Sequence, residues 1–149
     1  MSRLEAASGG HQLSVVVSGV SSDSHTWNLV YLRLAIEELG HRVRNLGACV
    51  PDELLVQDCL VNRPDLVVLS TVNGHGFIDG MRLIARIRAC PELARLPVVI
   101  GGMLGISGPD GQRSHDRLIA AGYTAVFDDG PRMPAFRSFV EALAVGVTA

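Results

Sequence analysis

Short stretches that are apolar throughout alternate along this chain with longer stretches in which apolar residues recur every third or fourth position. "LSVVVSGV" (13–20), "LVVLST" (66–71) and "PVVIGG" (97–102) belong to the first kind. Such runs suit strands covered on both faces, as in a parallel sheet. "HRVRNLG" (41–47) and "TAVFDD" (124–129) are weaker strands and fit the edges of that sheet. Between them, Leu29, Leu32, Ile36 and Leu39 predict a helix from about Trp27 to Leu39, with Gly40 as its stop. Pro51, Asp52 and Glu53 suit the first turn of a second helix, which must end near Arg63-Pro64. Phe77, Met81, Ile84, Ile87 and Arg88 mark a third, closed by Cys90-Pro91. Ser114 to Ala121 predicts a fourth helix before Gly122, and Phe136, Phe139, Val140 and Leu143 a fifth.

Strand followed by helix, five times over, predicts an α/β fold: a doubly wound, five-stranded parallel sheet flanked by five helices. The commonest version is flavodoxin-like (Rossmann-like), with strand order 2-1-3-4-5. There the connections after strands 1 and 3 leave toward opposite faces and open a crevice at the carboxyl edge. Residues 1–12 are expected to form a short leader, 13–145 a single domain and 146–149 a tail, with no internal repeat. The pattern also places three polar or glycine-rich loops at that crevice: "SSDSHTWN" after strand 1, "STVNGHG" after strand 3 and "GGMLGISG" after strand 4.

Composition changes this picture little. The chain has 149 residues, 48% of them hydrophobic and 19% charged, which is ordinary for a globular domain. A formal charge of −2 gives no electrostatic case for nucleic acid or an anionic membrane as partner. No apolar stretch reaches the roughly 18–20 residues of a membrane span, and no signal peptide is evident, so the expected location is cytoplasmic. Cys49, Cys59 and Cys90 lack any C-x-x-C spacing and are read as free thiols.

The chemistry to be explained lies in the loops. His25 is either a solvated loop histidine beside the first helix or a metal ligand. A neutral imidazole ligates through one nitrogen when the proton on the other is held by an acceptor, and Asp23 stands two residues before it. Asp-x-His is equally compatible with a helix cap. His75 brings no closed ligand set, and a bare zinc or iron site needs three or four protein ligands. One histidine suits a metal that arrives inside a macrocycle. Gly74, Gly76, Gly101, Gly102 and Gly105 lie at strand ends, where they serve either turn geometry or close approach of a bulky ligand. Ser70 and Thr71 are either ligand contacts or local turn and cap formers.

Together these residues resemble the cobalamin-binding domain of the base-off/His-on B12 enzymes, most closely the small-subunit family of glutamate mutase (methylaspartate mutase). The family pattern is Asp-x-His-x-x-Gly after strand 1, Ser-x-Leu after strand 3 and Gly-Gly after strand 4. Here the positions read Asp23-Ser24-His25-Thr26-Trp27-Asn28, Ser70-Thr71-Val72 and Gly101-Gly102. The resemblance runs from about residue 13 to 143. Asn28 stands where the family has glycine, Val72 where it has leucine, and Met103 where an asparagine is usual.

The resemblance implies that His25 replaces dimethylbenzimidazole as the lower axial ligand of cobalt, with Asp23 hydrogen-bonded to its distal nitrogen. It implies that Ser22, Ser24 and Thr26 contact the corrin or tail, and that the freed nucleotide inserts between strands 1 and 3. Ser70, Thr71, Val72, Gly101, Gly102, Met103, Leu104 and Gly105 would line its path. The implied cofactor is adenosylcobalamin. The implied activity is that of an isomerase acting only within a complex, with substrate held by a large barrel subunit, and L-glutamate and threo-3-methylaspartate, or a related amino acid, as the interconverted pair. Two other readings stand beside it. A B12 module of methyl transfer or sensing usually carries a helical bundle before strand 1, which here would have to be another chain. A flavodoxin-like module holding phosphate at "SSDSHT" would explain the serines but not His25.

Overall fold

The computed structural model describes residues 11–71, 76–102, 109–127 and 133–146. Strands β1 (Ser14–Gly19), β2 (Arg42–Gly47), β3 (Leu66–Thr71), β4 (Val98–Gly102) and β5 (Ala125–Phe127) alternate with five helices. These are α1 (Trp27–Glu38), α2 (Asp52–Asn62), α3 (Gly76–Arg88), α4 (Pro109–Ala121) and α5 (Met133–Gly146). The strands are all parallel in the order β2-β1-β3-β4-β5, as the sequence pattern predicts.

Alternate residues of the central strands feed two separate cores, because successive side chains of a strand point to opposite faces. Val16, Val67, Leu69, Val98 and Ile100 pack under α2, α3 and α4, through Leu55, Cys59, Leu83, Ile84, Ile87 and Leu118. Val15, Val17, Leu66, Val68 and Val99 pack under α1 and α5, through Leu29, Ala35, Ile36, Phe136 and Val140. Burial on both faces is why β1, β3 and β4 carry no polar alternation. Helix α1, which follows β1, and α3, which follows β3, therefore cover opposite faces, and the chain parts between these two neighbouring strands.

The observed elements correct the expected boundaries in three places. Helix α4 begins at Pro109 rather than Ser114, because "PDGQR" is helical without contributing an apolar period. Helix α5 begins at Met133, a turn before Phe136. A short 3-10 turn at Pro91–Leu93, which the apolar pattern does not reveal, tucks Leu93 into the core after α3. The expected helix stops hold: Gly40 has φ +97° after α1, and Arg63 ends α2 in the left-handed region at φ +48°. Among the described residues no helix is long and apolar enough to cross a membrane. The three cysteines are free, and burial pushes the Cys59 thiol up to about 12.

Candidate functional site

The carboxyl ends of β1 and β3 lie side by side, with Gly19 opposite Ser70, and β4 continues the row with Gly101 opposite Ser70 and Gly102 opposite Thr71. The loop after β1 turns at once, the Asp23 N–H donating to the Val20 carbonyl at 3.1 Å. A carboxylate of this loop is thereby brought under the protein surface. Asp23 is 1% exposed, and its Oδ1 accepts the backbone N–H of His25 at 3.0 Å and lies 2.7 Å from His25 Nδ1. A carboxylate only accepts, so Nδ1 carries the proton and Nε2 keeps its lone pair when the ring is neutral. The His25 side chain is 59% exposed. The helix-cap alternative does not describe this pair: the N-cap position of α1 is Thr26, which makes no side-chain capping bond.

The loop is gripped from two sides. The Asp23 carbonyl accepts the Cys49 N–H at 2.9 Å, from a residue held at φ +52° just after β2. Gly19 passes so close to this connection that an added Cβ would stand 3.3 Å from the Ala48 Cα. On the other side Arg82 of α3 gathers the loop and two helix starts. Its Nε donates to Asp52 Oδ2 at 2.7 Å, one terminal nitrogen to Asp79 Oδ1 at 2.9 Å and the other to Ser21 Oγ at 2.9 Å. Ser22 donates to the second oxygen of Asp79. Hydrogen bonds from Asp52 and then Asp79 raise the Arg82 pKa above its ordinary value, so this cation persists at any working pH.

Of the residues singled out in the sequence, Ser22, Asp23, Ser24, His25 and Thr26 lie on this one loop. Ser70 and Thr71 close the adjoining strand, both buried. Gly101 and Gly102 come to the same edge, where close packing requires glycine. A Cβ on Gly101 would meet the Phe127 carbonyl oxygen at 2.7 Å, and one on Gly102 the Thr71 carbonyl oxygen at 2.0 Å. Gly102 also has φ +106°. Val72, Gly74, His75, Met103, Leu104 and Gly105 lie outside the described residues, and so does any contact of theirs.

Two features escape sequence reasoning. The Arg82 cluster joins residues up to 61 positions apart; its local trace was an acid at the start of α2 and of α3, with Arg82 three residues beyond Asp79. The other is the bond made by Asn28, a position marked in the sequence only as a departure from the family glycine: from the first turn of α1 its Nδ2 donates to Ser70 Oγ at 2.5 Å. Its Oδ1 is buried without a hydrogen-bond partner among the described residues. Among the described residues no three His, Cys, Asp or Glu side chains gather to hold a bare metal ion.

Residues 13–126 match the family model of the B12 binding domain. The glutamate mutase sigma subunit of Fusobacterium nucleatum subsp. nucleatum is 27% identical over 120 residues, which is 78% of this chain and 85% of that protein. The HTH-type transcriptional repressor CarH of Myxococcus xanthus is 37% identical over 103 residues, 68% of this chain but 34% of the repressor. Among solved structures, a cobalamin-binding protein from Desulfitobacterium hafniense DCB-2 superposes with a TM-score of 0.65 at 24% identity, over 80% of this chain and 54% of that one. A signal receiver domain of a histidine kinase from Syntrophus aciditrophicus gives 0.68 at 20% identity, over 91% and 92%. At these identities the two structures establish the fold alone, and a fold shared with a receiver leaves function to the site.

Proposed function

The chain belongs to the B12-binding domain family, and from that premise we propose that it is the cobalamin-carrying subunit of an adenosylcobalamin-dependent carbon-skeleton mutase. In this reading a large barrel subunit binds the substrate, and the reaction interconverts L-glutamate and threo-3-methylaspartate or a related amino acid. The observation that carries it is the Asp23–His25 contact: a buried carboxylate 2.7 Å from Nδ1 of an exposed ring. The donor set suits the cofactor. A corrin brings four nitrogens of its own to the metal, so the protein need supply only one axial ligand.

His25 would hold the cobalt through Nε2, the nitrogen that the Asp23 contact leaves free. Asp23 fixes the tautomer, sets the ring angle and makes the imidazole a stronger donor, as carboxylates behind metal-bound histidines generally do. Ser22, Ser24 and Thr26, on the same loop as His25, would contact the corrin or its tail. Ser70 and Thr71 at the end of β3 and Gly101 and Gly102 at the end of β4 would border the displaced nucleotide, and Val72, Met103, Leu104 and Gly105, which follow them in sequence, would complete the set. Adenosylcobalamin, when bound, supplies a cobalt–carbon bond whose homolysis starts radical chemistry, a property of the cofactor itself. The chain's own task would be to hold the cofactor, steady the His25 ring and offer the bound corrin to the large subunit. Similarity to the mutase sigma subunits along most of both chains supports this choice.

Mixing the purified protein with adenosylcobalamin or hydroxocobalamin tests the reading. Retained corrin with a histidine-ligated absorbance or EPR spectrum is expected, and His25→Ala should lose that spectrum entirely. Isomerisation of glutamate should appear only after a large subunit is added. Corrin that washes away, or a spectrum indifferent to His25→Ala, overturns the proposal. The 37% identity to the repressor CarH favours one second reading, a cobalamin-dependent sensing module. Corrin retained through His25, without isomerase activity alongside any large subunit, selects it.

A further inference from the structure

Asn28 stands where α1 begins, and its side chain crosses to the end of β3 to reach Ser70, 42 residues away in sequence. Ser70 is opposite Gly19 on β1 and Gly101 on β4, so this bridge lies over the join of the central strands, between the two helices that leave to opposite faces. The amide is only half satisfied. Nδ2 has its bond at 2.5 Å, whereas Oδ1 is buried without a partner among the described residues. Turning the amide over exchanges the roles of the two atoms and still leaves one of them unpaired. A buried polar atom without a partner is costly and is rare without a reason. The bridge therefore opposes itself: swinging the side chain outward breaks one hydrogen bond and restores solvent or a ligand to the orphaned atom.

We propose that Asn28 is a latch over the crevice between β1 and β3, and that it determines how readily a corrinoid's nucleotide tail is admitted. The proposal rests on the cobalamin reading and deepens it. While the latch is closed, Asn28 occupies the Ser70 hydroxyl at the carboxyl end of the β1–β3 join. A tail enters only when the Asn28–Ser70 bond breaks, and Ser70 is then free to meet the ligand. A corrinoid without a nucleotide has no need of the crevice and binds through His25 alone.

Stopped-flow absorbance of the full chain with hydroxocobalamin, and with cobinamide as the tail-less probe, tests this. Asn28→Ala should raise the association rate of hydroxocobalamin about tenfold, equivalent to one hydrogen bond worth about 1.4 kcal/mol that no longer has to break. The cobinamide rate should stay unchanged. A hydroxocobalamin rate that is unchanged or lower in Asn28→Ala overturns the latch, and so does an equal acceleration of cobinamide. Either result leaves the His25 reading standing if the wild-type spectrum still depends on His25. If the wild type retains no corrin, both fall together.

Discussion

The two ends of the sheet are built from the same residue types in opposite ways. At the amino edge, polar side chains bond to backbone: His41 Nδ1 accepts the Leu13 N–H at 3.0 Å, Asp65 accepts the Ser14 N–H at 2.8 Å, and Gln12 donates to the Gly40 carbonyl at 3.1 Å. At the carboxyl edge, apart from the His25 N–H held by Asp23, these polar side chains bond to each other: Asp23 with His25, Asn28 with Ser70, Ser22 with Asp79, and Arg82 with two acids and Ser21. A backbone partner cannot move without the strand, so the first arrangement fastens the fold. A side-chain partner can rotate away and be replaced, so the second can be rearranged around a ligand while the sheet stays as it is.

Gly102 marks the tightest meeting of backbone with backbone at the carboxyl edge, and it should show the largest effect. Gly102→Ala places a Cβ 2.0 Å from the Thr71 carbonyl oxygen at φ +106°, and the loss of stability should be on the order of 3 kcal/mol or more in urea titration. Gly47→Ala is the control: φ is +96° but nothing lies within 4 Å, so only the left-handed backbone cost of about 1–2 kcal/mol should appear. Equal losses would mean that strand proximity at Gly102 is not what requires glycine.

The contrast between edges sharpens with Asp65→Ala and Arg82→Met. Removing Asp65 strands a strand N–H and should cost about 2 kcal/mol of global stability. Arg82 is 43% exposed, and its loss should cost about 1 kcal/mol while speeding amide exchange in residues 20–26. A larger global loss from Arg82→Met would break the distinction.

The smallest effect is a pH dependence. Burial lowers the His41 pKa against the opposing charges of Asp65 and Glu141, and its Nδ1 must be unprotonated to accept from Leu13. The unfolded chain therefore binds the extra proton first. Stability present above the ordinary value of 6.5 should decline as pH falls below it, levelling off once the folded histidine also protonates. His41→Asn, which retains an acceptor, should flatten that part of the profile.

How much of this was legible depended on how far apart the partners lie. Strands β1, β3 and β4 announced themselves because burial on both faces leaves an unbroken apolar run. Asp23 and His25 were legible because two residues in one loop suffice to form the pair. Asn28 drew notice only as a departure from a family glycine; its bond to Ser70 crosses from helix to strand and leaves no periodic trace. The Arg82 cluster was hidden for the same reason, its members drawn from a loop and two helices. The first turn of α4 went unseen because its residues are polar, and an apolar period cannot mark a turn that gives the core nothing.

The Cys49 N–H holds the Asp23 carbonyl at 2.9 Å, and Gly19 rests against Ala48. The position of the imidazole above the sheet is thus gauged by the connection that follows an outlying strand. Lengthening residues 47–50 by a single amino acid would tilt the histidine while every side chain of its own loop kept its identity. The ring is set from behind, by the spacing of β2.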